Sequence, residues 1–127
     1  MLIAIDVSGS LPTQAIGRIN ELMKHLQRFA HPNSYVVTFS HEIKSNAMLP
    51  DFDSAVLSRP EGGTNLACVR NDFGANRGLK LIITDGYTTF EAMAGMSNFM
   101  ILDPDQIGED VKGLALALTL IEDRIQI

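Results

Sequence analysis

A chain of 127 residues with 46% hydrophobic and 20% charged residues is long enough to bury a core and ordinary for one globular domain. Its net charge of −5, without any run of Lys or Arg, argues against nucleic-acid binding by phosphate neutralisation and against a basic membrane-surface helix. The single cysteine, Cys68, fits a reducing compartment; "MLIAIDVSGS" lacks a signal peptide's basic region, and "GLALALTLI" falls short of a bilayer span, so a cytoplasmic location is expected.

In chain order, residues 2–7, "LIAIDV", read as a buried strand: short, continuous, apolar and partly β-branched. Pro12 suits the first turn of a helix. Behind it Ile16, Ile19, Leu22, Met23, Leu26 and Phe29 recur at steps of three and four, while Arg18, Glu21, Lys24 and Arg28 fill the other face. "HPNS" stops this amphipathic helix. "YVVTF" (35–39) is a second strand and "EIKSNAML" (42–49) a third, with only Ser40 and His41 between them, which predicts an antiparallel hairpin.

Residues 50–63, with Pro50, Pro60 and Gly62-Gly63, read mostly as loop, and a short helix follows Thr64 to end near Gly74. "LKLIIT" (79–84) is another buried strand, followed by Asp85-Gly86. A helical stretch over 90–96 leads to the strand "NFMIL" (98–102), and "DPDQIG" (103–108) is loop. The last segment satisfies two periods. Leu114, Leu118, Ile121 and Ile125 form a helical stripe, while "LALALTL" also alternates; a helix over 110–124 is favoured, with Leu116 and Leu120 off its stripe.

Strands alternating with helices imply an α/β, three-layer, Rossmann-like domain spanning 1–127, its mostly parallel sheet covered by helices on both faces. With the first strand central, the order becomes 3-2-1-4-5 with one antiparallel strand. Ligands of such sheets bind beyond the C-terminal strand ends where connections switch direction, here between the first and fourth strands. Both end in a carboxylate, Asp6 and Asp85, which would face each other across one crevice.

Spacing adds to this pair. Asp6, Ser8 and Ser10 alternate, so an extended segment sends all three to one side; Val7 can point into the core and Gly9 permits a tight turn. "GGTN" at 62–65 offers Thr64 on a pliant loop. Asp6, Ser8, Ser10, Thr64 and Asp85 make an all-oxygen set, which selects Mg2+, Mn2+ or Ca2+ over zinc or copper. The other polar candidates read as ordinary surface. His25, His31 and His41 lack ligand spacing; Asp51, Asp53, Asp103 and Asp105 read as solvated loop residues, and Cys68 as a small helix residue.

At these residues the sequence resembles the von Willebrand factor type A domain family, whose metal-ion-dependent adhesion site runs D-x-S-x-S, then a separate Thr, then a separate Asp after a strand. "DVSGS" matches the first element in full, "GGTNL" looks like the threonine loop and "IITDG" like the final aspartate motif, in family order over residues 2 to about 102. The resemblance implies coordination by Asp6, Ser8, Ser10, Thr64 and Asp85, the hydroxyls binding directly and the aspartates often through water. An ion held largely by neutral oxygens stays electrophilic and keeps a position for a partner protein's Glu or Asp. Intracellular members of the family often act as scaffolds in larger complexes, some with AAA+ ATPases. The chain is short for the family: residues 103–127 do not hold both a sixth strand and a final helix.

The expected function is therefore a divalent-metal-dependent protein-binding module and not an enzyme. A metal-dependent hydrolase would need a base, for which Glu61 is the one nearby candidate, and Ser8 sits in no G-x-S-x-G elbow. An assembly subunit with a purely stabilising ion is the remaining alternative. Leu116 and Leu120 would leave apolar area for a partner or a second copy, so a homo-oligomer is also considered; neither nucleic acid nor membrane is an expected partner.

Overall fold

In a computed structural model of the chain, β1 (Leu2–Asp6) is buried at all five positions. The structure describes residues 1–7, 12–31, 33–53, 55, 57, 68–69, 78–84 and 99–125. β1 pairs in parallel with β2 (Tyr35–Phe39) on one side and β4 (Lys80–Ile83) on the other. β3 (Ile43–Met48) lies antiparallel to β2, and β5 (Phe99–Leu102) parallel to β4. The sheet order is β3-β2-β1-β4-β5, as predicted. A central parallel strand has neighbours on both edges and cover on both faces, so it reads as one unbroken apolar run.

Alternation along the strands sorts side chains into two cores. Ile3, Ile5, Val36, Leu81 and Ile83 face α1 (Thr13–Phe29) and α2 (Val111–Ile125). Leu2, Ala4, Val37, Phe39 and Ile82 face the other way, onto Val69 and the partly buried Cys68, both helical residues. α1 buries Ala15, Ile19, Leu22, Met23 and Leu26, the predicted stripe apart from its first turn and end. Gln27 Nε2 donates to the carbonyls of Leu49 (3.0 Å) and Phe52 (3.1 Å), tying α1 to a 3-10 turn at Leu49–Asp51.

The hairpin between β2 and β3 is longer than predicted: the Ser40 amide donates to Glu42 O (3.0 Å), and the register shifts at Thr38/Phe39. The segment expected as loop after β5 contains a 3-10 turn, Pro104–Gln106, closed by a reciprocal cap. Asp103 Oδ1 accepts from the Asp105 amide and Gln106 Oε1 from the Asp103 amide, each at 2.9 Å. Asp103 is thus a capping residue, whereas Asp105 is exposed as expected.

The C-terminal segment is a helix. Its first turn is capped by Asp110, whose Oδ1 accepts from the Gly113 amide at 3.0 Å. The buried line is Val111, Ala115, Leu118 and Glu122, with Leu114 and Ile121 only partly buried, so the helix is rotated from the predicted stripe. Ala115, fully buried, suits close packing against the neighbouring elements, and Glu122 reaches the core because the Met1 amino nitrogen meets its carboxylate there. Leu116 and Leu120 remain exposed.

Candidate metal centre

Asp6 closes β1 and is paired with Phe39 on β2. One residue further the chain is still tied to that strand, because the Val7 amide donates to Phe39 O at 2.8 Å. Val7 is buried among the residues facing α1, as its alternation with Asp6 requires. On the other side, the last β1–β4 pair is Ile5 with Ile83. The next residue, Thr84, comes level with Asp6, and its amide donates to Leu102 O on β5 at 3.0 Å.

The side chains of this extra pair meet. Thr84 Oγ1 donates to Asp6 Oδ2 at 2.7 Å, and both residues are 1% exposed. The hydroxyl is the donor and the carboxylate oxygen the acceptor. A buried carboxylate is costly unless polar groups replace its water. Thr84 supplies one of them.

The carboxylate therefore sits at the C-terminal edge of the sheet, between the strand leading to β2 and the strand leading to β5, at the point where the connections diverge. Of the five predicted ligands, Asp6 alone falls among the described residues; Ser8, Ser10, Thr64 and Asp85 lie outside them, as does Glu61. Asp85 follows Thr84 directly in the sequence. A hard cation suits this donor chemistry: a carboxylate held in place at a strand end, joined in the sequence motifs by a second carboxylate and three hydroxyls.

Thr84 is the residue that sequence reasoning missed. It stands in "LKLIIT", where a β-branched residue reads simply as strand. The available signal was parity: Thr84 is two residues from Ile82 and so shares the face that Leu2, Ala4 and Asp6 occupy on β1.

Several of the remaining polar candidates have local contacts. His25 stacks on Phe29 with centroids 6.3 Å apart, and His31 Nε2 lies 3.0 Å from Asp123 Oδ1. His31 and His41 are exposed, while His25 is half-buried. Asp53 accepts from the Ala55 amide at 2.9 Å. Among the described residues no three His, Cys, Asp or Glu side chains gather into a metal-holding group.

No protein-family model matches the sequence, and no curated protein matches it. Solved structures do. The chain is similar to an aerotolerance-related membrane protein from Bacteroides fragilis NCTC 9343 carrying multiple mutations to serines, with a TM-score of 0.62 and 12% identity over 97% of this chain and 98% of that one. It is also similar to a von Willebrand factor type A protein from Catenulispora acidiphila, with a TM-score of 0.60 and 16% identity. That match covers 93% of this chain and 42% of the other. At such identities the likeness is one of fold: the five-stranded α/β arrangement is of the von Willebrand factor type A kind.

Proposed function

We propose that this domain is a divalent-metal-dependent protein-binding module whose ion takes a Glu or Asp carboxylate from a partner protein. The fold by itself suggests a protein-interaction module in general. The observation that carries the finer reading is the buried carboxylate of Asp6, oriented by Thr84 at the switch point of the sheet. Asp6, Ser8, Ser10, Thr64 and Asp85 would hold the ion, Mg2+ in the first place and Mn2+ or Ca2+ as substitutes.

When bound, the ion supplies a Lewis-acidic position for an anionic oxygen. The chain's own contribution is placement. α1 begins shortly after the "DVSGS" segment and carries no acidic residue in its first turn. The positive end of its dipole therefore favours an incoming carboxylate. Recognition of this kind concentrates a small interface on one bond, which makes binding all-or-none in metal.

Among the described residues no helix is long and apolar enough to cross a membrane. A scaffold role in a larger cytoplasmic complex is part of this proposal, and it rests on the resemblance of the sequence motifs to the family alone. The test is a partner pull-down with Mg2+ and with chelator, followed by affinity measurements after the partner's candidate acidic residue is changed to Ala. Chelation is expected to abolish the complex, and Thr64→Ala to weaken it without unfolding the domain. Equal affinities with Mg2+, with chelator and with the altered partner would reject the reading. A phosphoesterase assay with Mg2+ or Mn2+ is expected to show no turnover.

A further inference from the structure

We infer that Thr84 is the positioning residue of the metal centre: its hydroxyl holds the carboxylate of Asp6, the predicted ligand on β1, in direction and in place. The inference rests on the metal-site reading given above. Its own support is a single geometry with several parts. Thr84 Oγ1 donates to Asp6 Oδ2 at 2.7 Å across two adjacent parallel strands, in a place that is 1% exposed for both residues. Its amide is bound to Leu102 O at 3.0 Å, so one residue ties β5 through the backbone and β1 through the side chain.

Each feature of the residue type has a use there. The β-branch leaves Thr few side-chain rotamers, so the hydroxyl is held in direction as well as in place. Asp85 is the next residue in the sequence after Thr84. The strand end after "LIAI" and the strand end after "KLII" thus carry the two predicted carboxylates, and the Thr84–Asp6 bond links these ends side chain to side chain. A hydrogen bond that orients a ligating carboxylate is the kind of outer contact on which metal affinity depends.

The experiment compares wild type, Thr84→Val and Thr84→Ser. Mn2+ and Mg2+ dissociation constants are measured by calorimetry, and folding is followed separately by circular dichroism and by melting without metal. Val keeps the shape and removes the donor; Ser keeps the donor. The expected result is a loss of about 10–100-fold in metal affinity for Thr84→Val and of no more than about threefold for Thr84→Ser. Should Thr84→Val fail to fold, Thr84→Ser and Thr84→Ala decide the same question, because that pair differs only in the hydroxyl. Equal affinity of wild type and Thr84→Val, or of the Ser and Ala variants, would overturn the positioning role while leaving the metal site standing. A folded wild type that binds none of Mg2+, Mn2+ or Ca2+ would overturn the site itself, and this inference with it.

Discussion

Asp6 and Glu122 are buried to 1% and 0% exposure, and their surroundings differ in kind. Asp6 lies at a strand end and takes a hydroxyl donor. Glu122 lies within α2 and meets the Met1 amino nitrogen, which also donates to Ser34 Oγ at 3.4 Å. That difference separates the carboxylate of the proposed site from a core one. Removing one member of a buried ion pair leaves the other charge without compensation, which costs about 3–5 kcal/mol. Glu122→Ala should therefore lower stability by that order in urea unfolding, with Glu122→Gln affected less, and neither should alter metal affinity. A stability of Glu122→Ala within error of wild type would show the pair to be irrelevant. Glu122 was not legible in the sequence, since a carboxylate near a helix end reads as solvent-facing until its partner is known, and that partner lies 121 residues away.

The helices were legible to different depths for a physical reason. α1 carries large apolar side chains at three- and four-residue steps, and they occupy the buried line. α2 alternates Leu with Ala, and because Ala fits either a packed or an open position, the segment satisfies both periods. Its orientation was fixed by what surrounds it, with Ala115 and Glu122 inward and Leu116 and Leu120 outward. This contrast is testable. Leu118, 2% exposed, should cost about 2–5 kcal/mol on change to Ala, whereas Leu120, 63% exposed, should cost less than about 0.5 kcal/mol. Similar losses at both positions in thermal unfolding would contradict the helix's placement. In α1, a Cβ at the exposed Gly17 would meet nothing within 4 Å. Gly17→Ala should accordingly stabilise by about 0.5–1 kcal/mol through helix propensity alone. The 3-10 turn after β5 could have been read, because Asp103 and Gln106 stand at capping-box spacing.

Across the whole molecule, the sheet order followed from a few local facts: an apolar first strand, a short hairpin between the second and third, and the amphipathic helix α1 as the crossover that sets β2 parallel to β1. The same ladder made Asp6 legible, because strand pairing positions a strand-end residue from the sequence pattern. Thr84 was hidden for the converse reason. It is a good strand former in its own right, and its partner is 78 residues away, visible once β1 and β4 lie side by side. The predicted ligand Thr64 lies outside the described residues, and periodicity in the sequence does not specify its position.

The claim that Asp6 belongs to a cation site is tested most directly by melting wild type and Asp6→Asn with and without Mg2+ or Mn2+. Asn retains an oxygen that can accept from the Thr84 hydroxyl, so it removes the charge while preserving the buried hydrogen bond. An ion that binds only the folded chain stabilises it by about 2.7 kcal/mol at a hundredfold excess over its Kd. Wild type should therefore melt several degrees higher with metal, and Asp6→Asn should lose most of that rise while remaining folded. Equal metal-dependent shifts in the two proteins, or no shift in wild type, would contradict the claim.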